Sequence, residues 1–236
     1  MIHLLALLAR GGHGKTTTAN HLTGEYGTPI VSLAAPLKRI AKIVMNFSDA
    51  QLYGTQEEKE AIDPRYGMSA RIFLQKLGTE GIRQCIGPLT WCEALLFNVA
   101  QDAAARGYDG SAGGDLVYII DDARLPNEVE FVGGLHTRPG LPKFFGTTIK
   151  LVCTDAPPTG NDNHPSERGV DEVPAHLIDA VVTSSRAQGT AHLIEQVEAA
   201  LSLPHLANLR GALNRSAMAK AAAERTEAFA ARAVRA

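Results

Sequence analysis

Residues 2–17 constrain this chain more tightly than any other stretch. Ile2-His3-Leu4-Leu5-Ala6-Leu7-Leu8 is an apolar run broken only by His3, the pattern of a strand buried on both faces within a parallel sheet. It leads directly into Ala9-Arg10-Gly11-Gly12-His13-Gly14-Lys15-Thr16, and residues 17–23 then carry helix-compatible spacing without proline. Strand, glycine-rich turn, Lys-Thr and helix, in that order, is the setting of a phosphate-binding P-loop. The glycines let successive N–H groups curl toward one anion, the helix N-terminus adds partial positive charge, and Lys15 adds a full one. Thr16 is placed to offer its hydroxyl to a magnesium ion bridging the outer phosphates. Ala9 stands where the first glycine of the pattern is usual, and so small a side chain fits where φ is negative.

A chain of 236 residues, 45% hydrophobic and 20% charged, can bury one sizeable core, as a single α/β domain or as a domain with inserted lobes. Its net charge of −2 provides no footprint for non-specific nucleic-acid binding, although a local basic groove is compatible with it. Cys85, Cys92 and Cys153 are odd in number and lack metal-ligand spacing, so they suit buried thiols in a reducing cytosol. No apolar run approaches the roughly 20 residues that span a bilayer. The first apolar stretch lacks a basic leader and enters the glycine loop at once, so it reads as a core strand and not as a signal peptide. A soluble cytoplasmic protein without a membrane partner is expected.

Residues 28–33 read as a second short strand, followed by a helix that starts near Pro36 and continues through Ile40, Ile43 and Val44. Lys38 and Arg39 oppose the macrodipole at that helix start, which points either to a bound phosphate or to plain solvation. Residues 48–68 are polar and are expected as an exposed helical turn and a mobile loop, the charge run at 56–60 being a solvated face. A helical pattern from Ser69 is interrupted at Gly78-Thr79-Glu80-Gly81 and resumes at Ile82. An interior glycine costs a helix about 1 kcal/mol, so the interruption suggests close approach of a ligand or of another backbone. Residues 91–105 form a cleaner helix with Trp91, Leu95, Val99 and Ala103 on one side, Trp91 serving either the core or as a platform for a base.

After a flexible connection at 106–114, residues 115–122 read as a strand carrying Asp121 and Asp122 at its carboxyl end, where open parallel sheets bind ligands. These acids are candidates to hold magnesium, directly or through water, and Arg124 can reach a phosphate bidentately. Residues 133–147 are a Gly/Pro-rich excursion, 147–153 another strand, and 162–169 a polar segment suited to a lid. His164 in that segment lacks a His or Cys partner at ligand spacing and reads as a positioning or exposed histidine. A strand at 179–183 and an amphipathic helix at 190–201 follow. The alanine-rich residues beyond 204 have three fates open to them: docking on the body, pairing with another copy, or fraying.

Four motifs then stand in order: the P-loop from Gly11 to Thr17, Leu33-Ala34-Ala35-Pro36-Leu37-Lys38, Leu74-Gln75-Lys76-Leu77-Gly78-Thr79-Glu80 with Arg83, and Asp121-Asp122-Ala123-Arg124 with Glu128. Together with His164-Pro165-Ser166-Glu167-Arg168-Gly169 they resemble the deoxynucleoside monophosphate kinases of tailed bacteriophages, and more distantly the phosphomevalonate kinases of animals. The resemblance covers residues 2–201. It implies an α/β P-loop NTPase fold of the nucleoside monophosphate kinase type, a parallel sheet flanked by helices. Within a kinase domain at 1–204 it implies an acceptor-binding insertion at about 34–92 and a lid at about 155–173, with a helical tail at 205–236.

The same resemblance implies phosphoryl transfer from ATP, with Mg2+, to a deoxynucleoside 5′-monophosphate serving phage DNA synthesis. Gly11, Gly12, His13, Gly14, Lys15, Thr16 and Thr17 would then hold ATP, and Thr16, Asp121 and Asp122 the metal. Lys38, Arg71, Gln75, Thr79, Glu80, Arg83, Trp91, Asp121 and Arg124 would meet the acceptor. Lys15, Arg83, Arg124 and Arg168 would be catalytic, Arg168 arriving as the lid closes. Two other readings keep the loop: a kinase for a modified nucleotide or a hydroxymethylated base in DNA, and an ATPase or switch that works on a partner. The expected partner is a small nucleotide, with no stable nucleic-acid complex, and a homodimer is compatible. The lobe at 45–70 is compact for this family and the tail has no counterpart in it.

Overall fold

In chain order the computed structural model contains β1 (Ile2–Leu8), α1 (Lys15–Tyr26), β2 (Ile30–Val31), α2 (Ala35–Met45), α3 (Asp49–Tyr53), α4 (Gln56–Glu60), β3 (Ile62–Asp63), β4 (Met68–Ser69) and α5 (Ala70–Gln75). A π-helix (Lys76–Gln84) and α6 (Thr90–Ala105) follow. Then come β5 (Leu116–Ile120), α7 (Pro126–Gly133), β6 (Phe144–Cys153), α8 (Pro165–Glu172), β7 (Ala180–Ser184), α9 (Gly189–Leu201) and α10 (Ala207–Ala233). The structure describes residues 1–108, 110, 114–138, 143–157 and 165–233, without the side chains of 165, 166 and 229–233. Contacts divide the chain into two compact units, Met1–Val31 with Ala100–Ala236, and Ser32–Val99.

The first unit is built on a five-stranded sheet of order β2-β5-β1-β6-β7, with every neighbouring pair parallel. β1 is buried along its whole length because helices cover both faces. Its side chains alternate between two layers. Leu5 and Leu7 pack with Leu22 of α1 and with Leu193, Val197 and Leu201 of α9, whereas Leu8 packs with Val129 of α7 and Val170 of α8. From β1 the chain crosses toward β2, and from β6 it crosses toward β7, in the opposite direction along the sheet. The carboxyl ends of β1 and β6 therefore flank the crevice where such sheets place ligands.

Of the three fates open to the tail, its first half docks. Leu209, Ala212 and Leu213 of α10 are buried in the same core layer as Leu22 and Val197. Polar contacts reinforce them. Arg210 donates to the Tyr26 hydroxyl at 2.7 Å and pairs with Glu198, which also accepts from Tyr26 at 2.7 Å and contacts His21 at 2.9 Å. Arg215 shares Asp115 with the amino terminus. A body ending at 204 would leave this core layer open. No helix among the described residues is long and apolar enough to cross a membrane.

In the second unit residues 48–68, expected as an exposed helical turn and a mobile loop, form two capped helices and a hairpin. Ser48 with Gln51, and Thr55 with Glu58, form reciprocal capping boxes that satisfy the first N–H groups of α3 and α4. β3 and β4 pair antiparallel, and the buried Asp63 carboxylate accepts from Arg65 N at 3.0 Å, Arg65 Nε at 2.9 Å and Gln51 Nε2 at 3.0 Å. Phe47, Leu52 and Ala70 form a small apolar core beneath. The glycine interruption is not a break but the nine-residue π-helix, a wider turn often found at functional sites. The close approach inferred there is to a side chain: a Cβ on Gly78 would lie 2.8 Å from Leu37 Cδ2.

Two expectations follow. Leu213→Ala should lower the unfolding free energy by about 2–5 kcal/mol, while Met218→Ala on the exposed side of α10 stays within about 0.5 kcal/mol of the parent; urea unfolding checks both. His3 is 3% exposed, with Nε2 buried and lacking a hydrogen-bond partner among the described residues. Burial chiefly, and the nearby amino terminus and Arg215, hold its pKa below the ordinary 6.5 against the opposing pull of Asp115. The unfolded chain therefore takes up the proton first as pH falls, and the fold loses stability there. Between about pH 7 and about pH 5 the melting temperature should drop more for the parent than for His3→Leu.

Candidate active site

The turn from β1 into α1 depends on glycine at two left-handed positions, Gly12 at φ 77° and Gly14 at φ 87°. A Cβ on Gly14 would lie 2.6 Å from Leu193 Cδ2, and one on Gly12 would lie 3.0 Å from Arg186 Nη2. Gly14 is the N-cap of α1 and provides no side-chain cap. The first-turn N–H groups therefore lack an acceptor within the helix and suit an external anion. Ala9, in place of the usual glycine, is fully buried beneath the turn.

Around this turn lies a cavity of about 520 Å3. Residues 10–17 line it, with Arg124, Cys153, Ser184, Ser185, Arg186, Gly189, Thr190 and Leu193. All seven residues expected to hold ATP, Gly11 to Thr17, are therefore at its wall, as is Arg124. The Lys15 ammonium donates to the Ala9 carbonyl. Burial first, and then the charge of Arg124, push the Lys15 amine down to about 7, while Asp122 and Asp121 pull the other way. His13 Nδ1 accepts from the Cys153 N–H at 3.1 Å and so ties the turn to the end of β6. Burial and the charges of Lys15 and Arg10 keep this imidazole neutral below the ordinary histidine range.

The far wall is the segment after β7. The Asp155 carboxylate accepts from Arg186 N at 2.7 Å, Ala187 N at 3.1 Å and Ser185 Oγ at 2.9 Å, contacts that hold its pKa well below the usual carboxylate range. Arg186 reaches back to donate to the Gly12 carbonyl at 3.4 Å. Arg10, Lys15, Arg124 and Arg186 thus bring four cations to one cavity. Arg186 and its neighbours were not singled out in the sequence. The signal was present, since they follow the carboxyl end of a parallel strand just as Asp121 and Asp122 do.

Arg168, expected to arrive as the lid closes, sits on an exposed face of α8, 3.9 Å from Glu172, and does not line the cavity. Its neighbour Glu167 is the residue that α8 turns inward: Gly11 N donates to Glu167 Oε2 at 2.8 Å, and Oε1 pairs with Arg124. Successive helical residues point about 100° apart, so one of the two had to face away. Residues 158–164 of the expected lid, His164 included, lie outside the described residues. Pro165–Glu172 is helix docked on the body through Val170.

The remaining expected residues lie in the Ser32–Val99 unit. The Lys38 ammonium sits 4.4 Å from the centre of the Tyr53 ring. Arg71 donates to Gln56 at 3.1 Å and lies 3.8 Å from Glu60. Gln75 ends α5, and Thr79, Glu80 and Arg83 lie on the π-helix, Thr79 and Glu80 exposed and Arg83 half-buried. Trp91 is a core residue and not a base platform: it is 5% exposed and donates to the Gly78 carbonyl at 3.0 Å. Among the described residues no group of three or more His, Cys, Asp or Glu gathers as a metal cage.

No protein-family profile matches the chain. A protein of Acanthamoeba polyphaga mimivirus, provisionally named a deoxynucleotide monophosphate kinase, is 33% identical over 168 residues, spanning 70% of this chain and 80% of the viral one. The chain belongs to this kinase family. Among solved structures it is similar to a sugar kinase from a Janibacter species (TM-score 0.42, 14% identity, 86% of this chain and 96% of that one). It is also similar to a provisionally assigned kinase from Chloroflexus aurantiacus (TM-score 0.40, 15% identity, 85% and 98%). Likenesses at that level add nothing to the assignment.

The glycine turn of this kinase makes a direct prediction. Gly14→Ala forces a Cβ into a left-handed backbone, at about 1–2 kcal/mol, and against Leu193 Cδ2 at 2.6 Å. Thermal unfolding should show a lower melting temperature for Gly14→Ala than for the parent, and a smaller drop when the same change is made in a Leu193→Ala background.

Proposed function

We propose that this kinase transfers the terminal phosphoryl group of ATP to a deoxynucleoside 5′-monophosphate, giving ADP and the deoxynucleoside diphosphate, for phage DNA synthesis in the host cytoplasm. The observation that carries the reading is the convergence of Arg10, Lys15, Arg124 and Arg186 on a glycine-built turn at a helix start. Phosphoryl transfer asks mainly for positioning and charge neutralisation, and this cavity supplies both. The name of the mimivirus relative supplies the acceptor class.

In this reading the first-turn amides of α1 and the Lys15 ammonium hold the outer phosphates of ATP. Lys15, half-neutral near pH 7 in the chain by itself, would be driven to its charged form by an adjacent phosphate. Thr16, Asp121 and Asp122 offer hard oxygen donors, a set that suits a magnesium ion sharing its remaining positions with water and phosphate. Magnesium when bound neutralises charge on the outer phosphates. Arg124 carries charge to the transferring group. An oxygen of the acceptor phosphate forms the new P–O bond as the bond to ADP breaks, and because that oxygen is already anionic no side-chain base is required. Lys38, Arg71, Gln75, Thr79, Glu80 and Arg83, in the Ser32–Val99 unit, are assigned to the acceptor.

The test is incubation with γ-labelled ATP, magnesium and each of the four deoxynucleoside monophosphates. Label should appear in a diphosphate. Release of labelled phosphate with no labelled acceptor would replace the kinase reading with an ATPase, and label confined to polymeric DNA would replace it with base modification. Lys15→Ala should abolish transfer while the melting temperature holds within a few degrees; near-parental turnover would remove the glycine turn from the mechanism.

A further inference from the structure

Two buried carboxylates grip the same arginine from opposite ends. Glu128, in the first turn of α7 and 2% exposed, accepts from Arg124 N at 2.8 Å and from Leu125 N at 3.0 Å. Glu167, 3% exposed on α8, pairs with the Arg124 guanidinium and accepts from Gly11 N at 2.8 Å. Gly11 and Arg124 line the cavity, whereas Glu128 and Glu167 do not. Carboxylates this deep are costly to desolvate unless they are paired. Both are paired with groups on the cavity wall.

The platform that delivers Glu167 is itself fixed. Val170 and Val173 pack with Leu8 and Val129 behind the glycine turn. Asp171, one helical turn after Glu167 on the same face, pairs with Arg10 and lies 3.8 Å from Lys150. The short α8 therefore holds the turn at Arg10 and Gly11, and holds Arg124 through Glu167.

We propose that Glu128 and Glu167 are positioning residues: they lock the backbone and the guanidinium of Arg124 beside the glycine turn, so that it meets the transferring phosphoryl group without being reordered. An arginine side chain is rich in rotamers; Glu167 restricts those of Arg124 before substrate arrives, and Glu128 fixes the backbone from which the side chain projects. The guanidinium presents five N–H donors in a planar fork, so engagement of one edge by Glu167 is compatible with phosphate contact along another. Neither glutamate touches the reacting atoms, and each acts through Arg124. The proposal rests on the kinase reading above.

A double-mutant cycle on the full chain tests it. Glu167→Gln keeps an acceptor for Gly11 N and removes the ion pair. It should lower kcat about 100-fold, with KM for ATP within about twofold and the melting temperature within a few degrees. In an Arg124→Ala background the same change should cost almost nothing further, because the group through which it acts is gone. Losses that multiply across the cycle, or a parental kcat in Glu167→Gln, would overturn the proposal. Glu128→Ala should behave alike, and if it does not fold the Glu167 cycle stands by itself. A second readout is independent of turnover: the Arg124 Nε–H resonance, assigned by its loss in Arg124→Lys, should be resolved in the parent and averaged in Glu167→Gln. A resonance already averaged in the parent overturns the clamp, whereas a resolved one in a protein that transfers no phosphoryl group overturns the kinase reading and leaves the clamp standing.

Discussion

The structure of the body depends on a strand that cannot tolerate water on either face. β1 is buried at all seven residues, so it is stable only between two helical layers and two parallel neighbours. That requirement fixes the site. A parallel sheet with β1 at its centre brings the ends of β1, β5, β6 and β7 to one edge, and each end contributes to the cavity or its electrostatics: the glycine turn, Asp121 and Asp122, Cys153, and the segment from Ser184 to Arg186.

Within the site the recurring solution is to hold cations with carboxylates until a more strongly charged ligand arrives. Asp121 and Asp122 offset the desolvation of Lys15, Glu167 holds Arg124, and Asp171 holds Arg10. Asp155 does the equivalent for a backbone, gathering the amides of Arg186 and Ala187 so that the arginine side chain is aimed at Gly12. A cluster of like charges around a small cavity would otherwise be repulsive and mobile, and preorganisation of this kind is what electrostatic stabilisation of a transition state requires.

Much of this was legible in the sequence because it is local. The apolar run, the glycine turn and the helix after it are consecutive, and Asp121, Asp122 and Arg124 directly follow an apolar strand. What escaped depends on partners distant in sequence. Whether Arg168 or Glu167 faces the turn is decided by Val170 packing on Leu8 and Val129, more than a hundred residues earlier in the case of Leu8. For the tail the sequence left docking, pairing and fraying open; Leu209 and Leu213 join Leu22 in one core layer, and no periodicity within the tail announces that. In the segment at 48–68 the exposed helical turn was legible but the second helix and the hairpin were not: the capping boxes were present as Ser-x-x-Gln and Thr-x-x-Glu, yet short helices leave too little hydrophobic pattern to recognise. The π-helix is invisible to any analysis that assumes 3.6 residues per turn.

The docking of α10 has a consequence for how the chain is made. β1 and α1 are made well before α10, yet part of the apolar layer over them comes from Leu206, Leu209 and Leu213. During synthesis that layer stays incomplete until α10 has emerged, and contacts of such long sequence separation are slow to form. The nascent chain therefore carries an uncovered hydrophobic face throughout that interval, the condition under which chaperones engage their clients. An organism that produces this protein in quantity must protect β1 until α10 arrives.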